Sequence, residues 1–315
     1  MTATAPFSIA IHGGAGTIER HLMSPELQQQ IEFALEQAVL AGHKLLDQGG
    51  SSLDAVVAAV KILEDSPHFN AGHGSVLTHH EMVEMDAAVM SGIERQAGAV
   101  AGVRHIRNPI LLARDVMEKS PHVLLAGDGA ESFAFELGYE YTEQDYFFTE
   151  RRYDQLLSMK EKGLFALSES SYPDDKKFGT VGAVALDQHG HLAAATSTGG
   201  ITNKKYGRIG DSPLIGAGTY AQDGVVALSA SGMGEYFIRH CVSADIAGRI
   251  RYLHEPLGVA CDAVIKGELQ QVGGEGGVIG VDQQGNIHFS LNSSGMYRAS
   301  IGSQQPLYIA IYADE

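Results

Sequence analysis

Two antiparallel sheets packed face to face, with helices outside them, is the α+β architecture that this 315-residue sequence predicts. Three observations carry the expectation. Strand-like and helix-like segments alternate along the chain without a compositional break that would mark a domain boundary. Two distant segments repeat one hairpin grammar: Val184-Ala185-Leu186-Asp187-Gln188-His189-Gly190 and Ile279-Gly280-Val281-Asp282-Gln283-Gln284-Gly285 each place Asp-x-x-Gly between two apolar runs. Glycine in such a turn takes the left-handed conformation that closes an antiparallel pair. Strand-like runs also crowd into the second half, which favours paired sheets with helices segregated around them over a doubly wound parallel sheet.

The elements follow in order. Residues 7–11 read as a strand entering a turn, His12-Gly13-Gly14-Ala15-Gly16. Ser24 with Pro25 opens a helix whose apolar positions Leu27, Ile31, Leu35, Ala38 and Leu45 keep the helical period until Gly49 and Gly50 stop it. Ser52 is expected to cap a second helix, with Val56, Val60 and Leu63 on its inner face and Pro67 beyond its end. Residues 82–90 and 97–105 read as strands and 109–118 as a helix. From about residue 153 the periodicity fades, and residues 154–179 are expected to form a flexible linker. Strands follow at 180–186, 192–197, 225–230, 277–281 and 286–291, with helices at 235–253 and 257–269.

Composition narrows the function. With 44% hydrophobic residues the chain can bury a sizeable core, and 38 glycines imply many tight turns or close backbone approaches. The net charge of −16 disfavours nucleic acid and anionic membrane surfaces as partners. Two cysteines, Cys241 and Cys261, give no disulfide framework. Residues 1–7 lack the basic and apolar regions of a secretory signal, and no apolar run approaches the length of a membrane span. A cytoplasmic protein is the expectation.

Several motifs suggest chemistry. Thr180, in Phe178-Gly179-Thr180-Val181-Gly182-Ala183-Val184-Ala185, follows a polar stretch and opens an apolar strand. A threonine hydroxyl becomes a competent nucleophile when a base lies beside it, and the residue's own α-amine can serve. That amine exists only if the Gly179–Thr180 bond is cut; otherwise the segment is a loop leading into a strand. Arg208-Ile209-Gly210-Asp211-Ser212-Pro213 places a cation and an anion three residues apart, either as a surface ion pair or as a clamp for a zwitterion. Ser231-Gly232-Met233-Gly234-Glu235 joins a strand to a helix, either as a plain glycine-rich turn or as a source of backbone N–H groups for an oxyanion. Other patterns are incomplete. The turn at 12–16 lacks the third glycine of a dinucleotide fingerprint, and no Gly-x-Ser-x-Gly elbow occurs. His73, His79 and His80 near Glu81 show no zinc spacing and read as solvated loop histidines.

Taken together in order, these motifs make the chain resemble the plant-type (type III) L-asparaginase/isoaspartyl peptidase family of N-terminal-nucleophile hydrolases over nearly its whole length. The matching residues include His12-Gly13-Gly14-Ala15-Gly16, Phe69-Asn70-Ala71-Gly72-x-Gly74, Glu84-x-Asp86-Ala87 with Met90, and the run from Gly179 to Ala185. They continue with Ala195-Thr196-Ser197-Thr198-Gly199-Gly200, the run from Gly207 to Pro213, Gly232-x-Gly234-Glu235 and Gly295-Met296-Tyr297-Arg298. The resemblance implies a four-layer αββα sandwich forming one domain, cut into an α chain of residues 1–179 and a β chain of residues 180–315, with two such units in a dimer. It implies Thr180 as nucleophile, Thr198 as the hydroxyl that orients it, Asn70 beside it, and Ser231 with Gly232 as the oxyanion hole. Arg208, Asp211, Gly232 and Gly234 would hold an aspartyl substrate, L-asparagine or an isoaspartyl dipeptide. No catalytic cofactor is implied. A structural sodium ion would sit on the backbone carbonyls of Leu63, Glu64, Ser66, Phe69, Ala71 and His73. Within the same fold, a glycosylated asparagine substrate and an uncut, non-catalytic binding protein are the alternatives. Ser231 stands where the family usually carries threonine; serine is freer at χ1, which implies modestly weaker preorganisation.

Overall fold

Alternation along the strands decides the architecture. In the computed structural model, which describes residues 6–162 and 179–315, the strand β5 (Val181–Leu186) sends Val181, Ala183 and Ala185 into one apolar core and Val184 and Leu186 into another. The strand β1 (Ser8–Gly16) does the same with Ile9 and Ile11 on one side and Ala10 on the other. A strand buried on both faces must lie between two layers, and the layers are these. The helices α1 (Pro25–Asp47) and α2 (Ser52–Glu64) cover the outer face of an eight-stranded sheet. That sheet holds β1, β2 (Met85–Ser91), β3 (Ala97–Val103), β4 (Leu124–Ala126), β5, β6 (Leu192–Thr198), β11 (Gly295–Gly302) and β12 (Gln305–Tyr312), in the order β12-β11-β1-β5-β6-β2-β3-β4. Against its inner face lies a four-stranded sheet of β7 (Thr219–Gln222), β8 (Val226–Gly232), β9 (Gly276–Asp282) and β10 (Ile287–Leu291), ordered β10-β9-β8-β7. The helices α7 (Val242–Leu253) and α8 (Leu257–Asp262) close the outer side of the smaller sheet. Every pairing is antiparallel except β3 with β4.

The space between the sheets is lined by small side chains, including Ala10, Ala15, Ala194, Ala221 and Ala227, and this lets the sheets approach closely. Gly182 marks the tightest point. A Cβ there would lie 2.0 Å from Ser229 Oγ and 2.4 Å from His12 Nε2.

The repeated turn is real in both places. In each, the aspartate carboxylate accepts the backbone N–H groups two and four residues on, and Gly190 and Gly285 take φ of +81° and +80°. The two hairpins, β5–β6 and β9–β10, belong to opposite sheets, and Gln283 bridges them by donating to the Gly190 carbonyl at 2.7 Å.

Ser24 caps α1 as expected, accepting Leu27 N–H. For α2 the cap is Ser51, which accepts Asp54 N–H; Ser52 is buried inside the first turn, its N–H donated to the Asp187 carboxylate. The glycines at 13–16 do not end the strand. β1 runs on to Gly16 across a bulge between His12 and Gly14, where glycine is needed because a Cβ on Gly13 would lie 2.4 Å from the Phe69 ring. The helix expected at 235–253 is two, α6 (Gly234–Arg239) and α7, broken where Cys241 takes φ of +48°. The stretch 263–269 continues α8 as a π-helical turn. Of the expected linker at 154–179, residues 154–161 belong to a helix, α5 (Glu150–Glu161), and residues 163–178 lie outside the described residues. Elements not foreseen are β4, β7, β11, β12, α5 and α4 (Gly127–Glu136). Cys241 and Cys261 are both free. No helix among the described residues is long and apolar enough to cross a membrane.

The twin turns differ in burial, and this separates their contributions. Asp187 is 1% exposed and also carries Ser52 N–H, whereas Asp282 is half-exposed. Asp187→Ala should cost about 2–4 kcal/mol in denaturant unfolding, because it strands buried donors, and Asp282→Ala less than about 1 kcal/mol.

Candidate active site

Antiparallel pairing brings the key hydroxyls together. Val181 on β5 faces Ser197 on β6, so Thr180, one residue before β5, faces Thr198, the last residue of β6. Thr180 is 6% exposed, and its Oγ donates to Thr198 Oγ at 3.2 Å. Thr198 Oγ also accepts Gly200 N–H at 3.0 Å and donates to the Gly179 carbonyl at 3.0 Å. A hydroxyl has one proton and two acceptor sites, and here all three are engaged. Its orientation is therefore fixed.

The Gly179 carbonyl receives a second donor, Asn70 Nδ2, at 2.7 Å. Asn70 is 2% exposed and also donates to the Gly200 carbonyl at 2.7 Å, while its Oδ1 accepts Val76 N–H at 2.8 Å. This bonding fixes which end of the amide is nitrogen. It also explains the glycine before Thr180, since a Cβ on Gly179 would sit 2.5 Å from Asn70 Cβ.

A small cleft opens beside this group, lined by Gly179, Thr180, Thr198, Arg208, Asp211 and Gly232 among others. Arg208 is not free: Nε and Nη2 make a bidentate pair with Glu235 at 2.9 and 3.0 Å, which leaves the Nη1 edge for another anion. Burial pushes the Glu235 carboxyl up, but Arg208 outweighs it and holds the group below its ordinary value. Asp211 has the opposite balance. Burial pushes its carboxyl up to about 7 with Arg208 only partly offsetting, and Oδ2 is buried without a hydrogen-bond partner among the described residues. An ammonium group arriving there would supply the missing charge and donor. Gly234 packs directly on both ions; a Cβ there would lie 2.8 Å from Arg208 Nη2 and 2.9 Å from Asp211 Oδ1.

Gly232 reaches the cleft at the end of β8, while Ser231 lies one step behind it, fully buried. Ser231 Oγ accepts Ala15 N–H from the bulged end of β1 at 3.0 Å, which leaves its own O–H available as a donor. That anchor supplies much of the fixity a β-branched side chain would bring.

The loop after α2 carries Asn70, and it contains the six carbonyls expected to hold a cation. Leu63 and Glu64 end α2, and Ser66, Phe69, Ala71 and His73 follow. The loop is wound tightly: a Cβ on Gly72 would lie 2.3 Å from the Glu64 carbonyl oxygen and one on Gly74 2.1 Å from that of Phe69. Backbone carbonyls are uncharged oxygen donors, the kind a hard cation of low charge takes. The Glu64 side chain, its carboxyl pushed up to about 8 by burial, accepts hydrogen bonds from Ser197 Oγ and Ile110 N–H, tying α2 to β6. No group of three or more His, Cys, Asp or Glu among the described residues could hold a metal. His79 instead bonds Asn203, and His73 packs on Tyr146.

Sequence reasoning missed His12 and the pairing role of Glu235. His12 is fully buried, and its Nε2 shares a hydrogen bond with Ser229 Oγ at 2.9 Å. Ser229 continues through Thr196 to Thr219, a chain of hydroxyls between the sheets that ends on the Ser212 carbonyl beside the clamp. Burial pushes the His12 imidazole down to about 3, so it is a neutral spacer beneath Thr180 and not a base at working pH. Its signal was present in the strand–His-Gly-Gly pattern, but the glycines drew attention to the turn.

The raised Asp211 carboxyl has a stability consequence. The folded state holds a proton there between about pH 4 and 7 that the unfolded chain gives up near its ordinary value of 3.8, so this group's contribution falls as pH rises through that window. Asp211→Asn should therefore raise the melting temperature of the ligand-free protein by a few degrees at pH 8, with the gain vanishing toward pH 4. A scanning-calorimetry series across that range measures it.

A family model described as asparaginase matches residues 5–310. An isoaspartyl peptidase of Escherichia coli (strain K12) is 52% identical over 295 residues, covering 92% of this chain and 91% of its own. One from Salmonella typhimurium is 53% identical over 293 residues, covering 92% and 94%. A plant-type L-asparaginase of Pyrococcus horikoshii is 42% identical over 312 residues, covering 95% and 98%.

Proposed function

This chain belongs to the asparaginase family, and from that premise we propose that it is a self-processing threonine hydrolase. It cleaves isoaspartyl dipeptides and the side-chain amide of L-asparagine, releasing L-aspartate through an acyl-enzyme. The observation that carries the reading is the Gly179 carbonyl. It accepts from Asn70 and Thr198 at once, with the Thr180 hydroxyl bonded to the same Thr198.

Processing comes first. Thr180 Oγ adds to the Gly179 carbonyl carbon, and the developing oxyanion stays on the two donors already aimed at that oxygen. The C–N bond breaks, the hydroxyl proton ends on the freed α-amine, and water hydrolyses the resulting ester to a Gly179 carboxylate and a free Thr180. The new amine, with a reference pKa near 7.7–8.0, is suited to act as general base at neutral pH.

Turnover uses the same hydroxyl. Arg208 takes the substrate α-carboxylate on its open edge, and Asp211 takes the α-ammonium together with the Gly234 carbonyl. The side-chain carbonyl then lies against Thr180 Oγ, with Gly232 N–H and the Ser231 hydroxyl as oxyanion donors. The amine takes the Thr180 proton and passes it to the leaving nitrogen; water then releases aspartate. A sodium ion on the carbonyls of Leu63, Glu64, Ser66, Phe69, Ala71 and His73 would supply rigidity to the Asn70 loop and no chemistry. The working assembly in this reading is a dimer of cut units.

Intact mass spectrometry tests it. Wild type incubated near neutral pH should give two chains split at Gly179–Thr180, Thr180→Ala a single uncut chain, and Asn70→Ala cleavage slowed by about 10²–10³. An uncut, folded wild type would remove the hydrolase reading. Ionised Asp211 is needed to bind the ammonium, so KM for L-asparagine should rise as pH falls below about 7. The fall in kcat should instead track the Thr180 amine, because bound ammonium keeps Asp211 ionised.

A further inference from the structure

Two cavities meet at Gly179. The first is the cleft with Thr180, Arg208 and Asp211. The second is lined by Phe69, Asn70, Arg151, Arg152, Gln155 and Tyr297, with further apolar side chains on its wall. Among the described residues Gly179 is the one on both walls. It is also the residue that loses its bond to Thr180 on processing.

The charge in the second cavity is unusual for so acidic a chain. Arg152 is 5% exposed, yet it donates only to neutral oxygens, from Nε to the Gly74 carbonyl at 2.8 Å and from Nη1 to the Gln155 amide at 3.0 Å. Arg151 donates to the Pro67 and His68 carbonyls at 3.2 and 3.0 Å. Neither forms an ion pair with a described residue. Among the described residues Glu19 is the one carboxylate on the cavity wall, and it lies near His21. Burial, and for Arg152 the neighbouring Arg151, push both guanidiniums below their ordinary value, Arg152 to about 9. Arg152 is buried with only neutral oxygens as described partners, which is costly, and an arriving carboxylate shared with the more exposed Arg151 would relieve that cost with paired, charge-assisted hydrogen bonds.

We propose that this second cavity is the leaving-group subsite, where Arg151 and Arg152 receive the α-carboxylate of the residue linked to the isoaspartyl group. The inference rests on the proposed peptidase activity and deepens it. With the aspartyl moiety on Arg208 and Asp211 and the scissile carbonyl at Thr180, the leaving residue extends past the position of Gly179 into this space. Its carboxylate is then two bonds from the leaving nitrogen, and the apolar outer wall meets its side chain. L-Asparagine, which releases ammonia, places nothing there. The two activities share one anchor and differ in this second one, which makes it the place where the enzyme tells them apart.

The test uses enzyme shown by intact mass to be fully cut, with three substrates: β-aspartyl-leucine, its C-terminal amide, and L-asparagine. Wild type should show a KM about tenfold lower for the free acid than for the amide. Arg151→Gln, which keeps a donor for the loop carbonyls but loses the charge, should raise KM for the free acid about fivefold to tenfold. KM for the amide and for L-asparagine should change less than about twofold. Arg152→Lys, which retains the charge, should preserve most of the acid–amide difference. Equal wild-type KM values for acid and amide would overturn the proposal. So would an Arg151→Gln variant that slows asparagine and dipeptide alike, the result expected if the arginines brace the loop or hold the new Gly179 carboxylate. Cut enzyme inactive on all three substrates would overturn the peptidase reading itself, and this inference with it.

Discussion

The carboxamide of Asn70 joins three pieces of chain that are remote in sequence. Its nitrogen donates to the carbonyls of Gly179 and Gly200, and its oxygen accepts Val76 N–H. Its backbone carbonyl accepts Gly199 N–H as well. The entry to β5, the exit from β6 and the loop after α2 are thereby held in one register. An aspartate could not donate, and a hydrophobic residue would leave several buried backbone groups unpaired. The surrounding glycines follow from this constraint: Gly179 and Gly199 lie so close to Asn70 that a Cβ on either would fall within 2.6 Å of it. The sandwich around them supplies rigidity, because β5 and β6 are interior strands of the larger sheet and cannot shift without disturbing both cores.

Much of this was readable from the residues, for identifiable reasons. Thr180 stood out because Gly-Thr before an apolar strand has a specific chemical use, and the Arg208–Asp211 spacing because opposite charges in a glycine-bearing loop suit a zwitterion. The paired hairpins were legible because Asp-x-x-Gly has local turn chemistry that needs no tertiary context. The failures came where tertiary contacts decide. α5 has only Leu156, Met159 and Arg152 on its buried face, so its period is interrupted by a charge. β11 buries Arg298, whose guanidinium bonds the Met296, Tyr312 and Glu315 carbonyls, and this breaks the expected apolar alternation. β12 carries Pro306 and lies at the edge of its sheet, where a missing N–H is tolerated. The helix break at Cys241 uses a left-handed residue that no glycine announces.

Charge within the site is graded by what each group awaits. Arg208 is half-neutralised by Glu235, so it is held in place while keeping one edge open. Asp211 is buried and under-compensated, with Oδ2 left without a hydrogen-bond partner among the described residues. Arg151 and Arg152 face only neutral oxygens. Around Gly179 this acidic protein thus presents one guanidinium that keeps an open edge and two whose described partners are neutral oxygens.

In the proposed mechanism, the division also bears on how processing and turnover would share one nucleophile. For the bond to Gly179, alignment comes from the chain itself: the scissile carbonyl is covalently placed and already carries two donors. Distant binding groups are not needed, and effective molarity does the work. A free substrate lacks that tether. It must recover alignment from remote contacts, with Arg208 and Asp211 on the acyl side and an anchor beyond the scissile nitrogen on the other. Under the proposed mechanism, cutting the chain would release Thr180 from Gly179, the described residue that lies on both cavity walls.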